Sequence, residues 1–158
     1  METIKRRDFG KTGLKVTEVS LGAMNLRLRD NEEDAKAVIH RALDLGINLI
    51  DTARVYNHEK PDGRLFESEV FVKEAIQEHE ALSEPIIIIT KGHGYNPKAF
   101  DEDLNISRSK LGISGLHDLK IGDKEIKLVY FFHGLSKERF DEMKDTKVMQ
   151  HAIKRKNE

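Results

Sequence analysis

The sequence predicts an α/β fold with a parallel sheet, and three observations predict it. Four apolar runs, at residues 19–24, 47–50, 86–90 and 126–132, alternate with segments whose apolar residues recur at helical spacing. The third run holds four consecutive isoleucines, Ile86 to Ile89, which suit a strand buried on both faces. Three of the runs stop on one ionisable side chain each: Asp51, Lys91 and His133. Right-handed crossovers point all four strands the same way, so these three residues share one rim of the sheet.

Taken in order, residues 3–17 read as a hairpin. Ile4 and Phe9 lead into Gly10-Lys11-Thr12-Gly13, and Leu14, Val16 and Val19 follow. The Gly-Lys-Thr triplet is not a phosphate loop, because Lys5 stands where that motif needs its first glycine. Residues 19–24 form the first strand. Asn31 is placed to cap a helix whose first turn carries Glu32, Glu33 and Asp34. Ala35, Val38, Ile39, Ala42 and Leu43 give that helix one apolar face, and Gly46 ends it. The second strand ends at Asp51. A polar loop from Thr52 to Leu65 follows, with Pro61 and Gly63.

Residues 67–79 read as a second helix with Phe71, Val72, Ala75 and Ile76 inward. The third strand stops at Lys91. Pro97 fits the first turn of a third helix, in which Phe100, Leu104, Ser107 and Leu111 lie at helical spacing. Residues 113–125 read as a polar linker. The fourth strand ends at His133, and Ser136 caps a single last helix carrying Phe140, Met143, Val148, Ala152 and Ile153.

Composition narrows the partners. Charged residues make up 35% of the 158-residue chain, yet the net charge is −1, so no global field favours nucleic acid or an anionic membrane. The basic segment from Lys144 to Lys156 reads as a solvated helix face. The absence of cysteine excludes disulfides and thiolate metal sites within the chain and fits a reducing compartment. No apolar run approaches the ~18 residues of a membrane span. A cytoplasmic location is expected, with a small molecule rather than a membrane or nucleic acid as partner.

Singly, each rim residue has a plain explanation: Asp51 as a loop cap, Lys91 as a solvated cation, His133 as a structural imidazole. Jointly, with Tyr56 five residues after Asp51, they suit one reaction type. Tyrosine is a weak acid near neutrality, and an adjacent ammonium stabilises tyrosinate. A carboxylate holds the ammonium, and a neutral imidazole donates to a substrate oxygen. Such a set protonates an oxygen on which negative charge develops, as in hydride reduction of a carbonyl.

These residues sit within further motifs. They are the Gly10–Leu14 turn, Ser20-Leu21-Gly22-Ala23-Met24, and Gly46-Ile47-Asn48-Leu49-Ile50-Asp51-Thr52-Ala53 with Tyr56. Gly63-Arg64 with Glu67-Ser68-Glu69, Thr90-Lys91 and the strand ending in His133 continue them. In this order they resemble the N-terminal half of an aldo-keto reductase, over nearly the whole chain. Lys73 departs from the pattern, in which glycine is frequent.

The resemblance implies the N-terminal half of a (β/α)8 TIM barrel, a β-hairpin followed by four βα units, with residues 1–158 as one partial domain and the βα units over 19–158. It implies NADPH as hydride donor and an aldehyde or ketone as substrate. Tyr56 is then the general acid, Lys91 lowers its pKa, Asp51 holds Lys91, and His133 orients the carbonyl. Gly22, Ala23 and Met24, together with Asp51, would lie near the nicotinamide. Phe131 and Phe132 are expected to pack rather than to bind substrate.

A closed barrel of this class needs eight strands and typically ~250 residues. The chain therefore reads as a truncated product or half-barrel fragment with weak or no cofactor binding alone, whose open strand edges invite self-association. Two other readings stand beside it. One is a non-catalytic reductase-like binding or regulatory half-barrel. The other is a metal-dependent barrel hydrolase using Asp51, His93 and His133, disfavoured because no His-x-His follows the first strand and Lys91 would repel a cation.

Overall fold

The hairpin predicted at the N-terminus is built by two three-residue strands, β1 (Arg6–Asp8) and β2 (Lys15–Thr17), paired antiparallel in a computed structural model of the chain. The structure describes residues 4–28, 31–80, 82, 84–114 and 118–157. Thr3, the first residue of the predicted hairpin, lies outside them. Gly10 and Gly13 hold the turn at positive φ, and the Thr12 hydroxyl donates to the Phe9 carbonyl.

The first parallel strand is shorter than predicted. Only β3 (Leu21–Gly22) pairs; Val19 is exposed, and Met24 opens a 3-10 turn through Leu28. Helix α1 (Glu32–Asp44) starts where Asn31 accepts from the Glu33 N–H at 3.0 Å. It ends in a Schellman closure: Gly46 N–H to the Leu43 carbonyl and Ile47 N–H to the Ala42 carbonyl, with Gly46 at φ 79°. Ala35, Ile39, Ala42 and Leu43 are buried, whereas Val38, assigned to the same face, sits at its exposed margin.

Strand β4 (Leu49–Asp51) follows. The segment read as a polar loop contains a second hairpin, β5 (Asn57–Glu59) against β6 (Leu65–Glu67), turning at Gly63 with φ 81°. Helix α2 (Ser68–Glu78) buries Phe71, Val72, Ala75 and Ile76. Strand β7 (Ile86–Gly92) and helix α3 (Pro97–Lys110) come next. Asn96 caps α3 by accepting from the Ala99 N–H at 3.0 Å.

The predicted linker is also structured. Strands β8 (Ile113–Ser114) and β9 (Lys120–Ile121) form an antiparallel meander with the start of β10 (Lys124–Phe132) through the Gly122-Asp123 turn. The last helix is two: α4 (Lys137–Asp145), capped by Ser136, and α5 (Val148–Asn157), with Lys147 at φ 57° between them. The break has a tertiary cause, because the Thr146 hydroxyl donates to the Tyr95 carbonyl at 2.7 Å.

The main sheet runs β3-β4-β7-β10-β9-β8, and its first four strands are parallel. The architecture is thus an α/β partial barrel. The main core lies between these strands and helices α1 and α2, around Ile39, Ile50, Val72, Ile76, Ile88 and Ile126, with Leu111 at the end of α3. A smaller cluster on the opposite face joins Leu49, Ile87 and Ile89 to Val16 of the hairpin. A third lies around Tyr95, Phe100, Met143 and Val148, under α4 and α5. Among the described residues no helix is long and apolar enough to cross a membrane.

Candidate active site

Parallel pairing aligns the strand ends. Gly22 is opposite Asp51, Asp51 opposite Ile89, and Lys91 opposite Phe131. Backbone bonds then carry the ladder past the strands. Thr52 N–H donates to the Ile89 carbonyl at 2.8 Å, and His133 N–H donates to the Gly92 carbonyl at 2.8 Å. The loop bearing Tyr56 is pinned at both ends. Tyr56 N–H donates to Ala53, Ser68 N–H donates to the Tyr56 carbonyl, and the Thr52 and Ser68 hydroxyls share a hydrogen bond of 2.9 Å.

The four side chains expected to act together do meet. Lys91 Nζ donates to Asp51 Oδ1 at 2.6 Å, to the Thr52 carbonyl at 2.9 Å and to Tyr56 Oη at 3.1 Å. The Lys91 ammonium is largely shielded, with 12% of its side chain exposed, so its charge acts on these three partners more strongly than in open water. The His133 ring stands edge-on to Tyr56, with centroids 5.6 Å apart. Burial, with the charges of His93 and Lys91, holds the His133 pKa below its ordinary value, and Asp51 opposes this only in part. The imidazole is therefore neutral at pH 7. Its Nδ1 is buried without a partner, so the tautomer with hydrogen on Nε2 leaves only a lone pair unsatisfied.

The three residues expected near a nicotinamide divide. Gly22 is exposed and has open space where a Cβ would project. Met24 is 40% exposed. Ala23 is fully buried and its N–H is spent on the Asp51 carbonyl at 2.8 Å, so it offers no side-chain surface. Phe132 packs on Phe100 and Tyr130, but Phe131 departs from expectation: it is 41% exposed on the sheet face that carries Lys91.

Of the residues around the site, His93 was named from the sequence only as a candidate metal ligand, and Tyr95, Arg139, Arg54 and Asp103 were not singled out. The His93 ring stacks on His133 at 5.1 Å and 16°. Tyr95 Oη donates to the His133 carbonyl, and Arg139 of α4 donates to Tyr95 Oη at 3.2 Å and to the Gly134 carbonyl at 2.7 Å. Arg54 and Asp103 form an ion pair beneath the rim. A signal for Asp103 was present: it lies three residues after Phe100 and four before Ser107, a charge on an otherwise inward stripe. Among the described residues no three His, Asp or Glu side chains are grouped to hold a metal, and one Asp51 oxygen is taken by Lys91.

A model of the aldo/keto reductase family matches residues 18–120 of this chain. The chain belongs to the aldo/keto reductase family. It is 32% identical over 108 residues to the 6-dehydroglucose reductase of Novosphingobium aromaticivorans, a match that takes in 66% of this chain and 34% of that protein. A solved aldo-keto reductase structure from Pseudomonas aeruginosa superposes with a TM-score of 0.70 at 23% identity, over 96% of this chain and 54% of the other. An aldo-keto reductase of Bombyx mori, solved in complex with NADP, gives a TM-score of 0.53 at 22% identity, over 71% of this chain and 36% of the other. The chain thus spans about a third of that first relative's length and about half of the first solved barrel.

Proposed function

We propose that this chain carries the proton-donating half of an NADP(H)-dependent carbonyl reductase, with an aldehyde or ketone as substrate. The observation that carries the reading is Lys91 Nζ within 3.1 Å of Tyr56 Oη while also bonded to Asp51. Tyr56 Oη gives its proton to the carbonyl oxygen as that oxygen gains charge. Lys91 stabilises the tyrosinate left behind, and Asp51 holds Lys91 in place. His133, neutral and protonated at Nε2, donates to the same oxygen and orients it.

A reduced nicotinamide, when bound, supplies the hydride. The residues present fit that ring: exposed Gly22, with open space where a Cβ would project, lies opposite Asp51, Ala23 N–H bonds to the Asp51 carbonyl, and Met24, next in the chain, is exposed. The fit is to the nicotinamide end of the cofactor.

Carbonyl-dependent oxidation of NADPH by the wild type and by Tyr56→Phe tests the reading. Loss of about 10³-fold or more of the rate in Tyr56→Phe is expected, the upper part of what a positioned acid contributes. Equal rates in the two proteins remove Tyr56 from the chemistry. The alternative is a non-catalytic reductase-like half-barrel. It predicts no turnover by the wild type and no NADPH binding at micromolar concentration in a fluorescence titration.

A further inference from the structure

Asp103 is a carboxylate on the inward stripe of α3 with 7% of its surface exposed. A lone charge there would be costly, and its bonds explain how it is tolerated. Oδ1 receives Arg54 Nη2 at 2.8 Å. Oδ2 receives the His93 N–H at 2.7 Å and, more weakly, the Tyr130 hydroxyl at 3.5 Å. Gly92 leaves the room for this: a Cβ at that position would overlap the Asp103 carboxyl and the Tyr130 hydroxyl.

The partners of Asp103 belong to different parts of the rim. Arg54 lies between Asp51 and Tyr56, and its own N–H donates to the Lys91 carbonyl at 3.3 Å. His93 is two residues beyond Lys91 and stacks on His133. One carboxylate thus joins the loop that carries Tyr56 to the strand end that carries Lys91 and His93.

We propose that the Arg54–Asp103 ion pair is a clamp that sets the spacing between the Tyr56 loop and the Lys91–His93 strand end, which makes Arg54 and Asp103 positioning residues for the proton donor. The inference rests on the functional reading above. Stability alone does not account for the pair: Arg54 is partly exposed, where an ion pair contributes little, and apolar residues of similar size commonly replace a buried pair at no loss. What an apolar pair cannot supply is directional bonding to both flanks at once.

The test compares Asp103→Asn, Arg54→Gln, their double variant and the apolar pair Arg54→Met with Asp103→Leu, all in the full chain. Three quantities are measured: kcat and KM for carbonyl reduction, the thermal midpoint, and the titration of the His133 ring by NMR, with Tyr56 ring signals followed alongside. The groups facing His133 are His93, Lys91, Asp51 and Tyr56. Each single variant is expected to lose about 10²-fold in kcat, the scale of a misplacement near 1 Å, with KM changed far less.

The double variant is expected to be no worse than the poorer single one. The apolar pair is expected to melt near the wild type yet keep the low kcat. In all four variants the His133 midpoint rises toward that of an ordinary imidazole as its stack with His93 loosens. Wild-type kcat in the apolar pair, or single effects that simply add, overturns the clamp. Should the wild type show no turnover, the catalytic reading falls on that result alone. The clamp is then decided by NMR: His133 titration and Tyr56 signals unchanged in Asp103→Asn overturn it.

Discussion

Strands β7 and β10 lie side by side in register from Ile86 opposite Ile126 to Gly92 opposite Phe132, and both are rich in large apolar residues. Their environments differ sharply. Every residue of β7 except Lys91 is buried, whereas β10 is only partly covered along most of its length. The cause is position. β7 is flanked by β4 and β10, while beyond Ile126 no described strand pairs with the outer edge of β10. The contrast separates the candidate site from the exposed strand: three of its four side chains stand on the well-covered part of the sheet. Asp51, Tyr56 and Lys91 come from β4, its loop and β7, the closed part of the sheet, and only His133 comes from the open strand.

Substitutions at paired positions put this contrast to the test. Ile88 is fully buried on β7 and its register partner Leu128 is partly exposed. Urea denaturation is expected to show a loss of about 4 kcal/mol for Ile88→Ala and about half that for Leu128→Ala. Equal losses would mean that the outer strand is as well covered as the inner one. Next in size is Gly92→Ala, which drives a methyl into Asp103 and Tyr130. A cost of about 2–3 kcal/mol is expected, with displaced His93 and His133 ring signals.

A smaller effect probes the polar layer behind β7. Glu69 is buried, accepts from the Thr90 hydroxyl at 2.6 Å, and leaves Oε2 unpartnered. Burial holds its pKa above the ordinary carboxyl value of 4.5, with Thr90, Ser107, Lys110 and Arg54 opposing. The folded chain therefore binds this proton more tightly than the unfolded chain. The stability so gained is full below pH 4.5 and is lost as pH rises through the raised folded value. Glu69→Gln is expected to stabilise by about 1 kcal/mol at pH 8 and by almost nothing at pH 4 in parallel denaturant titrations.

The smallest expected change in stability, under about 0.5 kcal/mol, is that of Phe131→Lys on the exposed face of β10. Its effect belongs to association instead. Light scattering of the wild type is expected to exceed 18.1 kDa as concentration rises, and the lysine variant is expected to stay nearer the monomer. A wild type that stays monomeric at every concentration would show that the open edge is inert.

The site was legible where strand ends and caps are coded locally. Asp51, Lys91 and His133 each close an apolar run, and Asn31 and Pro97 mark helix starts as their chemistry dictates. What escaped depends on distant partners. Asn57-His58-Glu59 has no apolar alternation, so β5 was hidden, although Pro61-Asp62-Gly63 is a turn signal. Nothing near Thr146 in sequence announces the break between α4 and α5; a bond to Tyr95, 51 residues away, makes it. Arg54 and Asp103 acquire meaning only as a pair, and 49 positions, from 54 to 103, separate them.

The β5–β6 hairpin carries a consequence for how such a site can diversify. Its base is tied down on both sides, by Tyr56 N–H to Ala53 and by Ser68 N–H to the Tyr56 carbonyl, and its turn is closed by Lys60 N–H to the Arg64 carbonyl. Tyr56 is thereby insulated from whatever is grafted at the tip. Residues 61–63 form an exchangeable module: lengthening or rewriting them changes what overhangs the rim while Tyr56 keeps its place beside Lys91.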